Sequence, residues 1–239
     1  MKDNTQRDSI VEAIGLSRRF GKCYAVKEAS FVVHAGEVFG FLGEQGAGKT
    51  TLLGLLLGLL WPTAGMVRIF GEAVTPGHTA PLRHVGSTIG MPSLLSPFSV
   101  RDHFLLLAHL YPDIAQTRID ELLELVGLQQ DAHQKVRYLS AAQKQRLLFG
   151  LALFHSPKLL ILDEPTLYLE SAGKQEFRQL LQRLARQGIT IILGGHLPQE
   201  MARLCDRIAM LQKGHIVAQG TISELQQKGL LPISDFEEG

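Results

Sequence analysis

Cysteine is scarce in this 239-residue chain: only Cys23 and Cys205 occur, far apart and at no metal-ligand spacing. That excludes a disulfide framework and predicts reduced thiols in a cytosolic setting. An excess of either charge is missing as well, with 24 Lys and Arg against 23 Asp and Glu and a formal net charge of +1. Without a basic excess, nothing electrostatic argues for nucleic acid or anionic lipid as a main partner. Long apolar runs are also lacking. The longest, "LLGLLLGLLW" at 52–61, falls well short of the about 20 residues needed to span a bilayer. The opening "MKDNTQRDS" is polar and has no apolar centre of a signal peptide, so secretion is not expected. If the protein works at a membrane, another chain must cross it. Hydrophobic residues at 45% and charged residues at 20% leave an ordinary globular composition, sized for one domain with an inserted piece.

Internal repeats and low-complexity stretches are absent, and the chain reads as alternating elements. Short β-rich runs bounded by Gly and Pro predict strands at "IVEAIGL", "ASFVVH", "EVFGFLG", "MVRIFG" and "HVGSTIG". Apolar residues three and four apart predict helices over 99–111 and 117–128. "KLLILDEP" (158–165) is nearly all apolar, as in a strand buried on both faces. A helix follows at "KQEFRQLLQRLARQ", with Phe177, Leu180, Leu181 and Leu184 on one face. The strand "TIILGG" comes next, then two short strands, "RIAMLQ" and "HIVAQG", on either side of Lys213-Gly214. Strands alternating with helices predict a parallel α/β core. The block at about 92–157 reads as an inserted α-helical subdomain. The expected domain covers 10–225, with one helix after Gly220, and 226–239 is a C-terminal tail ending in the acidic "SDFEEG".

"GEQGAGKTT" (43–51) fits G-x-x-x-x-G-K-[ST], with a strand leading in and an apolar helix leading out. The stretch Gly43, Glu44, Gln45, Gly46, Ala47, Gly48 folds tightly because its glycines permit it, turning backbone N–H groups toward phosphate oxygens. The helix N-terminus adds a positive dipole end. Lys49 would reach the β- and γ-phosphates, and the Thr50 hydroxyl would ligate Mg²⁺. The chain is therefore expected to bind a nucleoside triphosphate.

Two adjacent carboxylates, Asp163 and Glu164, end the buried strand, where parallel strands face the ligand crevice. Asp163 fits a role holding Mg²⁺. Glu164, aimed elsewhere by side-chain alternation, fits a general base for an attacking water. His196, after the next buried strand, is either a group that helps place that water or a structural histidine. In "RYLSAAQKQRLLFG" (137–150), Ser140 and Gln143 spell a capping box before an apolar run.

Phosphate loop, helical insert, a motif beginning "LS", paired carboxylates and a later histidine stand in the order found in ATP-binding subunits of ABC transporters, which this chain resembles. The likeness runs from about residue 11 to 225. "FGKCYAVKEASF", "GFLGEQGAGKTTLL", "KQRLLFGLALFHSPKLLILDEPT" and "CDRIAMLQKGHIVAQG" are most similar to the bacterial bacitracin-resistance and lantibiotic-immunity group. The resemblance implies a P-loop NTPase core with an antiparallel β subdomain and the helical insert. It implies ATP and Mg²⁺ as ligands, held by Lys49, Thr50, Thr51 and Asp163, with Glu164 and His196 catalytic. Phe20 matches the aromatic that stacks on adenine, although a Phe beside a strand also fits a core. The resemblance further implies that two such domains pair head to tail, each presenting Ser140 and its helix start to the other's ATP. It implies that closure and hydrolysis drive a separate membrane permease, with the subunit on the cytoplasmic face of the membrane. Export is the expected direction; cargo and homo- or heterodimer stay open.

Four departures from the family fall on the coupling and partner-facing parts. Gly90 stands where a Gln or Glu is expected, and neither residue occurs anywhere in 73–115. Ala141 and Ala142 replace signature glycines, Glu170 replaces an Asp, and "GGH" replaces a hydroxyl-rich lead-in to His196. If those glycines used positive φ, alanine would strain the backbone by about 1 kcal/mol or more. Two readings follow: a transport ATPase subunit, or a regulatory nucleotide-binding subunit with weak turnover. A soluble member acting on ribosomes or DNA fits worst, for want of a second nucleotide-binding domain or a basic patch.

Overall fold

The computed structural model describes residues 8–90 and 94–232. The polar opening 1–7, Met91-Pro92 with the expected start of the insert, and the acidic "SDFEEG" lie outside the described residues. Two sheets organise the chain. The first is antiparallel, in the order β2-β1-β4-β5, from β1 (Ser9–Phe20), β2 (Cys23–His34), β4 (Ala64–Ile69) and β5 (Glu72–Ala73). β1 and β2 are longer than the runs "IVEAIGL" and "ASFVVH", because polar residues up to Phe20 and from Cys23 continue the ladder.

The second sheet has the order β10-β9-β3-β8-β7-β6. Its members are β3 (Val38–Leu42), β6 (Val85–Thr88), β7 (Leu159–Asp163), β8 (Thr190–Gly195), β9 (Arg207–Gln212) and β10 (His215–Thr221). All of its pairings are parallel except β9 with β10, a hairpin turning at Lys213-Gly214. The central strands carry the apolar runs read from the sequence. Leu159, Leu160, Ile161 and Leu162 of β7 and Ile191, Ile192 and Leu193 of β8 are each 0% exposed. Burial of such a side chain contributes about 1.5–3 kcal/mol, so these strands anchor the core.

Between β6 and β7 in the chain come α2 (Val100–Leu110), α3 (Thr117–Leu125) and α4 (Ala141–Leu153). Their inner faces supply Phe104, Ile119, Leu122 and Leu147 to a hydrophobic cluster shared with the sheet. On the sheet's flanks lie α1 (Lys49–Leu56), α5 (Ser171–Arg186), α6 (Pro198–Leu204) and α7 (Ile222–Gln227). The α5 stripe is as its spacing predicts, with Phe177, Leu180, Leu181 and Leu184 buried. α6 carries no sequence signal, since two turns give too little periodicity to read. The expected break at 225/226 falls inside α7, and the chain stays packed beyond it, with Leu231 only 4% exposed.

Strand order positions the site. β3, β8 and β7 are neighbours, and their registers align Leu42 with Gly195 and Asp163 with Gly194. The phosphate loop, the paired carboxylates and His196 follow the carboxyl ends of these three strands, which brings them to one crevice.

Candidate functional site

The loop from Gly43 to Gly48 leaves β3 and enters α1 through a left-handed Gly48, φ 107°. A Cβ at Gly48 would strike the carbonyl oxygen of Ala25, so glycine is required there for conformation and for space. Ala25 is the unpaired residue of a bulge in β2, where the β1 register jumps from Arg18↔Val26 to Arg19↔Tyr24. The bulge presses the β1–β2 hairpin onto the loop. Ala47 N–H donates to the Glu44 carbonyl and Gly43 N–H to Gly195. The N–H groups of Gly46 and Gly48 make no hydrogen bond to the described residues. Glu44, Gln45 and Gly46 are exposed on the loop's outer side.

Lys49 is only 6% exposed despite its charge. Its Nζ donates to the carbonyls of Gly43 (2.7 Å) and Glu44 (3.1 Å) and lies 3.5 Å from Glu164 Oε1. A buried ammonium held by loop carbonyls is set to meet an anion in the cradle. One residue on, Thr50 donates its hydroxyl to Asp163 Oδ2 at 2.6 Å. Asp163 Oδ1 is buried with no hydrogen-bond partner among the described residues. Burial pushes the Asp163 carboxyl above its usual range; the Thr50 hydrogen bond opposes the shift and neighbouring Glu164 adds to it. A half-satisfied buried carboxylate beside a hydroxyl is a donor set that suits a hydrated divalent cation. Gly194 makes room for it, because a Cβ there would lie 2.7 Å from Asp163 Oδ1.

Glu164 is brought into the crevice by backbone conformation, which corrects the expectation from side-chain alternation. β7 ends at Asp163, and Glu164 takes φ 47°, a left-handed value that costs a non-glycine residue about 1–2 kcal/mol. Its N–H donates to the Gly194 carbonyl at 2.9 Å, which holds the turn. The carboxylate is shared: Oε1 faces Lys49, and Oε2 lies 2.8 Å from His196 Nδ1. An ionised carboxylate only accepts, so Nδ1 carries the proton in this pair. Residue types and order pointed to Lys49, Thr50, Asp163, Glu164 and His196 separately; the structure brings all five together. The Glu164–His196 hydrogen bond had no sequence signal, since 32 residues separate the pair.

Thr51 follows in α1, half-buried. Phe20, at the end of β1, is 48% exposed, which removes the core reading for this ring. Ser140 lies apart from the crevice, at the start of α4. Its hydroxyl accepts from Gln143 N–H (3.1 Å), and the Gln143 side chain accepts from Ser140 N–H (2.9 Å), completing the capping box. Gln143 Nε2 also donates to Asp131, which ties the cap to the chain before it. Ala141 and Ala142 are the first residues of α4, and neither has positive φ. The conditional strain argument therefore does not apply; alanine at these positions is a better helix former than glycine. Glu170 occupies the N-cap of α5 without making a side-chain cap bond. Gly90 has φ 66°, so a Gln at this position would itself be strained.

The fold and motifs have clear counterparts. Residues 26–167 match the family described as ABC transporter. The chain is 35% identical over 221 residues to the bacitracin transport ATP-binding protein BcrA of Bacillus licheniformis, covering 92% of this chain and 72% of that protein. It is 40% identical over 193 residues to the uncharacterized ABC transporter ATP-binding protein YhcH of Bacillus subtilis (strain 168), covering 80% of this chain. The alignment takes in only 63% of YhcH, less than two thirds of that relative's length. A solved structure of an ATP-binding subunit of an ABC transporter superposes with a TM-score of 0.83 at 26% identity, covering 94% of this chain and 95% of that one.

Proposed function

This chain belongs to the ABC transporter family of ATP-binding proteins, and from that premise we propose that it binds and hydrolyses ATP to drive a separate membrane permease that exports its cargo. The observation that carries the reading is the convergence of Lys49, Thr50, Asp163, Glu164 and His196 at the carboxyl ends of three adjacent strands. Loop N–H groups, the α1 N-terminus and Lys49 receive the phosphates. Thr50 and Asp163 would hold Mg²⁺, which when bound neutralises charge on the phosphate oxygens. Glu164 accepts the proton of a water whose oxygen bonds to the γ-phosphorus as the bond to the β,γ-bridging oxygen breaks, giving ADP and phosphate. His196 fixes the orientation of Glu164 through Nδ1–H, and Lys49 keeps the other carboxylate oxygen from turning away.

Phe20 is the platform for adenine on this reading. Ser140 and the first turn of α4 face the ATP of a second ATP-binding subunit, identical or related. Among the described residues no helix is long and apolar enough to cross a membrane. A second reading, a regulatory subunit with weak turnover, draws on Gly90 and on the two alanines that open α4. Affinity purification of the tagged protein from mild-detergent membrane extracts tests the first: a membrane-spanning partner should co-purify. Recovery of soluble partners alone would overturn the transport role.

A further inference from the structure

Arg18 has no part in the chemistry above, yet it is the residue behind Phe20. Two apart on β1, the two side chains share a face of the strand. The Arg18 guanidinium carbon lies 4.6 Å over the Phe20 ring centroid. Its Nη1 donates to the Trp61 carbonyl at 2.8 Å, and no carboxylate pairs with it among the described residues. The guanidinium is thus anchored at one end by backbone and stacked at the other on the ring. The guanidinium takes one face of Phe20, and the residue is still 48% exposed.

We propose that Arg18 is a positioning residue for the nucleobase, setting the angle of Phe20 and biasing the site toward purines. The inference rests on the assignment of Phe20 to adenine. A cation on one face of an aromatic ring is attracted by its π density and draws that density toward itself. The open face becomes less negative. It then stacks better on a large electron-rich purine and holds a loose cation less well. The other exposed aromatic of the hairpin lacks this arrangement. Tyr24 stands opposite Arg19 in register and has two cations near its ring, Arg19 at 5.8 Å and Lys27 at 5.7 Å. Phe20 is therefore backed by one anchored cation at 4.6 Å, whereas Tyr24 lies farther from two.

The test separates base from phosphate. Dissociation constants for Mg-ATP, Mg-CTP and magnesium tripolyphosphate are measured by titration calorimetry on the wild type and on Arg18→Met, Arg18→Lys and Phe20→Ala. Arg18→Met should weaken ATP about three- to five-fold, narrow the preference for ATP over CTP, and leave tripolyphosphate unchanged. Arg18→Lys, which keeps the charge, should recover part of the loss and supplies the same comparison if the Met variant does not fold. Phe20→Ala should weaken ATP by about ten-fold or more. An unchanged ATP affinity in Phe20→Ala would overturn the assignment beneath the proposal. A loss in Phe20→Ala with unchanged affinity and base preference in Arg18→Met would overturn the role of Arg18 alone. Equal weakening of ATP and tripolyphosphate in Arg18→Met would do the same, because it would make Arg18 a general support.

Discussion

Replacing Ala141 and Ala142 together by glycine separates the helix from the site it serves. Both residues lie in the first turn of α4 without positive φ, Ala141 exposed and Ala142 half-buried against the core. Glycine at a helical position costs about 0.5–1 kcal/mol, so the double change should destabilise the subunit by about 1–2 kcal/mol. For a chain of this size that lowers Tm by about 2–8 °C. The same change removes two Cβ atoms from the helix start, where a partner's γ-phosphate is proposed to approach the N–H groups. If that crowding costs about 1 kcal/mol in the transition state, turnover in the assembled complex should rise about five-fold. Steady-state Mg-ATP hydrolysis and a thermal melt on the same preparation read both effects. Turnover should go up as Tm goes down. A folded double variant with no gain in turnover would refute the crowding argument. A raised Tm would refute the assignment of these residues to helix.

Two further expectations concern stability. Glu170→Asp gives α5 the shorter carboxylate that N-caps prefer, and it should add about 0.5–1 kcal/mol, or about 1–4 °C in Tm; an unchanged or lower Tm would contradict it. His155, beside Tyr111 and 3.2 Å from the Val85 carbonyl, has its pKa lowered, chiefly by burial. Because the folded value is depressed below the ordinary 6.5, the fold is fully favoured above pH 6.5 and loses stability as pH falls through the lower folded value. Tm should therefore drop between pH 7.5 and 5.5, and by less in His155→Gln; equal drops in both proteins would remove His155 as a cause.

The sequence was most legible where chemistry is written in consecutive residues. The phosphate loop lies on one strand–loop–helix passage, and the paired carboxylates close one apolar strand, so motif and local structure could be read together. Whatever depends on residues far apart was silent. Nothing in "LLILDEP" announces that Glu164 turns into left-handed space, because that conformation is held by the Gly194 carbonyl on another strand. Nothing in "LSAAQ" decides between helical and positive φ until the cap geometry is seen, with Gln143 bonded both to Ser140 and to Asp131. The exposure of Phe20 goes with its place at the end of β1, beside the β1–β2 turn, which the strand's period of two does not decide.

Central to the account is that Glu164 takes the proton of the attacking water while Lys49, Thr50 and Asp163 hold the nucleotide. Glu164→Gln keeps the size of the side chain but removes the base, and its single amide oxygen accepts from Lys49 or from His196 but not from both. Measured together on the assembled complex, Mg-ATP affinity should stay within about two-fold while turnover falls by about a hundred-fold or more. Unchanged turnover in Glu164→Gln would contradict the account.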